Sequence, residues 1–445
     1  MDFDPQSLCV QFLQHGVRSA GELARSAKVS QPTISRALGK LTDSLVRIGR
    51  GRAARYGLAN PIEELGSDWP LYVIGPDGAP EQIGRLHSLL GGKYWLDRGT
   101  WPTLCDEAFK DNVFPDLPWF LDDYRPQGFL GRAFARKHAA ALGQQPNPAV
   151  WSGRTVVEAM LRFGGDFPGA FVLGREALAD AMSGVPLSVV HGERGRQYPV
   201  LAEKAMLGDL VGSSAGGEQP KFVVSLTGTD QIRHVIVKFS PPTNQDVGRR
   251  WADLLVAEHT AGRVLAENGY DVPQSEILDA GGCRFLEVER FDRTPNGGRL
   301  LVLSLRCLAA ALLDGVGQPW PVAASHLLGR GLLAAGQADQ LASIWQFGKL
   351  IANTDMHDGN ASLIFSPTKP VRFAPVYDML PMAYRPDGHG RVPGLSADQL
   401  ADCSRSPHSS ERDLAKEFWT RVAKSPLVSD GFRAIAHEHA KALSS

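Results

Sequence analysis

The chain has 445 residues, more than one ordinary hydrophobic core organises, so two or three domains are expected. Its 43% hydrophobic and 21% charged content suits a soluble globular protein with sizeable cores. Signal peptide and apolar runs of about 18 residues are absent, so a cytoplasmic protein with no membrane partner is expected. The cysteines (Cys9, Cys105, Cys283, Cys307, Cys403) are scattered and contain no C-x-x-C, which indicates neither a disulfide framework nor a zinc site.

Residues 1–60 hold nine Lys/Arg against four acids, in a chain whose formal net charge is -1. A basic head on a mildly acidic body points to a polyanion partner for the head alone. Leu8, Val10, Phe12 and Leu13 start one helix and residues 19–25 a short second. Ser30 is placed to cap a third helix, with Ile34, Leu38, Leu41 and Leu45 on one face. The opposite face carries Pro32, Ser35, Arg36 and Gly39, side chains that a major groove admits. Residues 45–48 and 54–58 can pair as a hairpin across the basic stretch 49–52. The expectation is a winged helix-turn-helix over residues 1–65. Its duplex-DNA contacts would come from Ser30, Gln31, Thr33, Ser35, Arg36, Lys40, Arg50, Arg52 and Arg55. A small helical domain that binds protein is the alternative.

Residues 60–70 read as a linker. The stretch 70–200 mixes short strands (71–74, 170–173) with Pro/Gly-punctuated segments and shows no titratable cluster of catalytic spacing. Residues 212–221 form a small-residue loop before a strand at 222–226. No Gly-Lys-Ser/Thr ends it, so it is not a Walker A loop, but small side chains let backbone N–H groups approach phosphates. Lys238 closes the apolar run Val-Ile-Val-Lys, where a buried ammonium needs an anion; Glu258, on a helix expected over 246–268, is a candidate. Residues 285–292 read as a strand into a connector, where a hinge between two lobes would lie.

Beyond residue 300, helices are expected at 303–313, 327–335, 341–353 and from 411. Between them, Asn353-Thr-Asp-Met-His-Asp-Gly-Asn360 places Asp355 and Asn360 five residues apart, the spacing of the protein-kinase catalytic loop. A strand at 361–365 follows, and a second at 372–377 delivers Asp378. One carboxylate accepts a proton from the attacking hydroxyl or orients it, while an amide oxygen and a second carboxylate hold Mg2+ against phosphates. Asp355 is thereby the candidate base, and Asn360 and Asp378 the candidate metal ligands. A turn rich in Asx residues gives the same five-residue spacing. The order of parts from loop to Asp378 is what points to a bilobal kinase.

Those parts resemble, in order, the blocks of the HipA family of serine/threonine kinases, toxins of bacterial toxin–antitoxin systems. The blocks are Ser-Ala-Gly-Gly-Glu-Gln-Pro-Lys ending at Lys221, Val-Lys238, Val-Glu-Arg-Phe-Asp-Arg293, the segment 353–360 and Tyr-Asp378. The resemblance covers residues 70–445 and implies an α+β architecture: the winged head, then a HipA-like bilobal kinase fold. Its parts would be a β-rich subdomain at 70–200, a kinase N-lobe with phosphate loop at 201–293 and a helical C-lobe with catalytic loop at 294–445. It implies ATP held by Ser214, Ala215, Gly216, Gly217, Gln219, Lys221, Lys238, Glu289, Phe291 and His357, with Mg2+ on Asn360 and Asp378. It further implies phosphorylation of a protein substrate, an aminoacyl-tRNA synthetase in the best-known members, and autophosphorylation at Ser214 or Ser213. The chain departs in carrying its own DNA-binding head, as in a YjjJ-like branch, rather than pairing with a separate antitoxin. Pro220 also removes a backbone donor from the loop. A transcriptional regulator with a nucleotide-sensing body and a small-molecule phosphotransferase are the other readings. A homodimer is one candidate assembly.

Overall fold

The computed structural model describes residues 4–41, 44–97, 101, 104, 112–184, 186–208, 218–313, 315–396 and 409–444. Its first three helices are short, and each starts at a side-chain cap. Asp4 accepts from the amides of Gln6 and Ser7 at α1 (Pro5–Leu13). Ser19 and Glu22 close a reciprocal capping box on α2 (Ala20–Ala27), and Ser30 caps α3 (Gln31–Leu38). Cys9, Leu13, Leu23, Ile34 and Leu38 close the core between them. β1 (Arg18–Ser19), β2 (Leu45–Ile48) and β3 (Arg55–Leu58) form an antiparallel sheet in the order β1-β3-β2. Gly49 and Gly51, at φ 76° and 65°, turn the β2–β3 hairpin through the left-handed region.

The stretch read as a linker is packed instead. Leu90 N donates to Leu58 O at 2.8 Å and Asn60 N to Ser88 O at 2.9 Å, tying the head to the next sheet. Ile62 and Trp69 are 1% and 5% exposed, and their burial outweighs the Pro/Gly signals around them. That next sheet runs β7-β6-β5-β4-β8, from β4 (Asp68–Ile74), β5 (Pro80–Leu89), β6 (Lys93–Asp97), β7 (Val113–Phe114) and β8 (Phe171–Leu173). Around it lie α4 (Gly128–His138), α5 (Gly153–Phe163) and α6 (Arg175–Ser183).

A second five-stranded sheet has the order β12-β13-β11-β10-β9. Its members are β9 (Ser188–Val190), β10 (Lys221–Thr227), β11 (Arg233–Phe239), β12 (Ser275–Ala280) and β13 (Cys283–Glu289). α7 (Arg194–Leu207) packs Tyr198 and Leu201 against Phe222, Val237 and Phe285 on one face. The long α8 (Asp246–Glu267) buries Leu254, Leu255 and Ala261 and presents Glu258 to the sheet.

The remainder is mostly helical, with a small sheet β14-β15-β16. β14 (Leu301–Ser304) pairs with β15 (Ser362–Phe365), and β15 with β16 (Arg372–Phe373). The helix expected from 303 starts two residues later as α9 (Leu305–Leu312), because Ser304 caps it by accepting from Cys307 N. The expected helix 327–335 is the end of α10 (Trp320–Gly329) and the start of α11 (Ala335–Leu350), split at Gly331 with φ 64°. The expected strand 372–377 keeps ladder pairing only over β16, and the rest runs extended to Asp378. α12 (Ser409–Lys424) and α13 (Asp430–Ala442) close the chain. Helices and strands are thus mixed in the α+β manner, and one core joins Ile62 and Leu71 to Leu308, Phe347 and Trp419. Among the described residues no helix is long and apolar enough to cross a membrane.

Candidate active site

In the β10–β11 ladder Lys221 stands directly opposite Lys238, so both ammonium groups share a sheet face. They are 3% and 6% exposed, and two buried cations side by side are costly without anions. Glu258 of α8 lies 2.5 Å from Lys238 Nζ through Oε1, and Asp378 Oδ1 contacts the same nitrogen. Burial alone would lower Lys238, but Asp378 and Glu258 outweigh it and hold its pKa above the ordinary value. Lys221 drops to about 8: burial pulls it down, Asp378 resists and Lys238 adds like-charge repulsion. Burial also works on the carboxyl of Asp378, yet Lys238 and Lys221 keep it below the usual range. Glu258 is raised by burial, against the pull of Lys238.

The segment after α11 is built by its asparagines. Asn353 Oδ1 accepts from Asp355 N at 3.0 Å, while its Nδ2 donates to Asp378 O at 3.3 Å. One side chain therefore fixes the backbone of both candidate carboxylates. Asn360 Nδ2 donates to Asp355 O at 2.8 Å, which leaves its Oδ1 as an acceptor. Asp358 is spent on structure, accepting from Arg306 Nε at 3.1 Å and Gly317 N at 2.9 Å. Asp355 differs. Its carboxylate makes no hydrogen bond among the described residues and lines the cleft. Asp378 sits at φ 54°, a left-handed conformation that Asp tolerates better than most side chains. Beside it Tyr377 donates to Gly359 O at 3.0 Å, and its ring stacks on Phe291 at 5.6 Å.

A cleft of about 660 Å3 brings Gln219, Lys221, Lys238, Asp355 and Asp378 together, with Trp251 and Arg385 on its walls. A second cavity of about 480 Å3, lined by Trp345, Lys349, Met356 and His357, also reaches Asp355. The aspartate therefore stands where the two spaces meet and faces both of them. Gln219 Nε2 and Glu258 Oε2 are buried without a partner among the described residues. An unspent amide donor beside two lysines fits a phosphate chain. No cluster of three or more His, Cys, Asp or Glu able to hold a metal occurs among the described residues. That suits Mg2+, which takes one or two carboxylates and completes its shell with phosphate and water oxygens. Asp378 and Asn360 are the residues that would hold it.

Other expected residues lie elsewhere. The Glu289 side chain is on the sheet face opposite Lys238, its carboxylate 3.6 Å from Arg233 Nε, so only its backbone faces the hinge. His357 Nδ1 accepts from Gly359 N at 3.0 Å, and its residue is exposed beside the second cavity. Ser213, Ser214, Ala215, Gly216 and Gly217 lie outside the described residues. In the head, Gln31, Ser35, Arg36, Lys40, Arg50 and Arg52 are exposed, and Ser30 and Thr33 bond one another at 2.8 Å. Arg55 is half-buried and donates to Val17 O at 3.3 Å. Sequence reasoning missed the role of Asn353, for which the Asn-Thr-Asp turn was the available signal. It also missed Trp251 and Arg385, which no local pattern marks.

Family models agree with this layout. A model of the YjjJ-like toxin middle domain matches residues 65–182, and one of the HipA-like C-terminal domain matches residues 213–444. The toxin YjjJ of Escherichia coli K12 is 37% identical over 441 residues, covering 96% of this chain and 95% of that protein. The chain belongs to the HipA family of toxins, in its YjjJ-like branch. Among solved structures, HipA of Shewanella oneidensis MR-1, in a complex of HipA, HipB and operator DNA, superposes with a TM-score of 0.51. The two are 16% identical over 84% of this chain and 96% of that one, a likeness of fold. In this HipA-family chain the paired lysines, Asp355, Asn360 and Asp378 all fall inside the C-terminal match.

Proposed function

We propose that this HipA-family chain is an ATP-dependent protein serine/threonine kinase that phosphorylates a protein substrate and itself, with a fused DNA-binding head. The observation that carries the reading is one cleft holding Lys238 between Glu258 and Asp378, with the carboxylate of Asp355 unspent beside them. Lys221 and Lys238 would meet the phosphates, and Gln219 Nε2 would donate to them. Asn360 and Asp378 would hold Mg2+, which would supply charge neutralisation at the phosphates. With Asp378 given to that role, Lys238 would keep Glu258 and take a phosphate oxygen in place of Asp378. Asp355 orients the acceptor hydroxyl and takes its proton. The domain division we read is a winged head over residues 1–65, from its own helices and hairpin, and then, by the family, a β-rich subdomain over 70–200 and two lobes at 201–293 and 294–445. We read the exposed residues of α3 and the β2–β3 hairpin as the DNA surface, for autoregulation. The Shewanella relative, found with HipB and operator DNA, supports that reading. An aminoacyl-tRNA synthetase is the first substrate to try.

The test is incubation of the full chain with labelled ATP and Mg2+, followed by intact-mass and peptide analysis. Phosphate is expected on Ser213 or Ser214 in the wild type and on neither in Asp355→Ala. That variant should keep its stability within ~0.5 kcal/mol, since it removes a side chain without protein hydrogen bonds. Nucleotide binding without transfer to any protein would overturn the kinase and favour the nucleotide-sensing regulator. An unmodified loop with transfer to other proteins would retire only the self-phosphorylation.

A further inference from the structure

The sheet face that carries the two lysines has a second feature at its other end. A cavity of about 640 Å3 opens where Ser225 pairs with His234, four residues along the ladder from the Lys221–Lys238 pair. That is about 13 Å of strand. The cavity and the cleft share no lining residue. Most of its wall is apolar: α4 contributes Leu130 and Phe134, and Phe163, Phe167 and Phe222 come from the elements around it. His138 stacks on Phe163 at 4.0 Å and adds a further flat surface.

The cations of the wall differ in how they are used. Arg290 and Arg293 share Asp292, and Arg293 also meets Asp166 at 3.1 Å. Arg162 is held by Glu64 and Glu158. Exposed Lys137 and Asp180 also line the cavity. Arg299 is the exception. It is 5% exposed, it has no carboxylate within salt-bridge distance among the described residues, and its Nη2 donates to Gly165 O at 2.6 Å. Its Nη1 is buried without a partner among the described residues. Burial, reinforced by the neighbouring Arg293, lowers its pKa to about 10, so it remains a cation at neutral pH. A buried guanidinium with an unspent N–H is expensive, and the planar fork of Arg matches carboxylate and phosphate oxygens.

We propose that this cavity is a ligand site, separate from the nucleotide cleft, for a small organic anion: one carboxylate or phosphate at Arg299 on a ring-sized apolar body against Phe134 and Phe163. The apolar wall supplies affinity by burial and the single unpaired cation supplies orientation, the usual division of labour in small-molecule sites. Mixed acidic and basic pairs elsewhere on the wall disfavour a polyanion. The site stands whether or not the chain transfers phosphate, because none of its residues belongs to that machinery.

The experiment is isothermal titration calorimetry of the full chain, saturated with a non-hydrolysable ATP analogue and Mg2+. The probes are 1-naphthoate, 1-naphthyl phosphate and uncharged 1-naphthamide. One anion per chain should bind, with the two acids distinguishing carboxylate from phosphate, and the amide should bind more weakly than the better acid. Arg299→Met should weaken the anion about tenfold, the loss expected for one charge-assisted contact, and leave the amide unchanged. Ala181→Trp, at the half-exposed rim of the cavity, should abolish binding of all three. It keeps the test decisive if Arg299→Met melts early. Three results would each overturn the site: no saturable binding of either acid, displacement by the nucleotide, or equal affinity in wild type and both variants.

Discussion

At the scale of single residues, the site is a balance of buried charge. Lys238 is stable where it is because Glu258 and Asp378 reach it from α8 and from the end of the extended segment 374–378. Removing any one member leaves its partners uncompensated, so variants at these positions report folding as well as chemistry. Asn353 offers a cleaner handle. Its amide carries no charge, yet it holds Asp355 N and Asp378 O at once. Asn353→Ala should let both carboxylates drift, lowering kcat by about 100-fold, since misplacement by an ångström has that scale. Nucleotide affinity should change far less, because Lys221 and Lys238 are untouched. Equal loss in kcat and in nucleotide affinity would assign Asn353 to binding instead.

At the scale of elements, two short units are predicted to respond to solution conditions. In the pair α12 and α13, His439 is fully buried, stacked on Trp419 at 4.2 Å, with Nε2 2.5 Å from the Tyr384 hydroxyl. Burial lowers its pKa to about 4. The unfolded chain takes up that proton near 6.5, so the unfolded state binds more protons between those values. Stability is therefore full above pH 6.5 and falls as pH drops toward 4, by at most about 3 kcal/mol. Thermal melts between pH 7 and 4.5 should show the decline, and His439→Gln should flatten it. In the head, Ile48 and Val46 pack on Leu89 and Trp95 of the following sheet. A fragment ending at residue 65 lacks that cover, so the full chain is the species to test for DNA. Its affinity for duplex should fall steeply with salt, and Arg50→Ala should reduce the salt slope by about one contact while weakening all sequences alike. Substituting Ser35 or Arg36 should shift sequence preference. Absence of binding at low salt would return the head to the protein-interaction reading.

At the scale of the whole molecule, the middle sheet and the HipA-like C-terminal domain are joined around Asp292. Asp292 accepts from Arg290 and Arg293 and from Gly169 N at 2.9 Å, and Arg293 donates onward to Phe167 O at 2.7 Å. Burial would raise the Asp292 carboxyl, but the two guanidinium groups hold it far below the usual range. Asp292→Ala leaves both buried cations to share Asp166 alone, at 3.7 and 3.1 Å, and should cost about 3 kcal/mol. Because the core is continuous from Ile62 to Leu443, the loss should appear in a single calorimetric transition for residues 65–445. A separate transition for the middle segment would show that the Asp292 contacts do not couple it to the rest.

What the sequence alone determined was the chemistry that short spacings encode. The cap at Ser30, the Asp355–Asn360 interval, the lysine closing β11 and the family blocks are all local, and backbone geometry alone turns them into structure. The pairing of Lys238 with Glu258 was legible as a need, since a buried ammonium requires an anion. That Asp378 also reaches Lys238, that Lys221 stands opposite it, and that Asn353 ties two carboxylates together depended on strand register and on chain 25 to 140 residues away. The packed connector at 60–70 was misread for a similar reason: Pro and Gly punctuate locally, but Ile62 and Trp69 find their partners only when two sheets meet. The unspent Arg299 was invisible for the converse reason. Its neighbours are paired by contacts from three distant segments, and only the folded chain shows which cation they leave over.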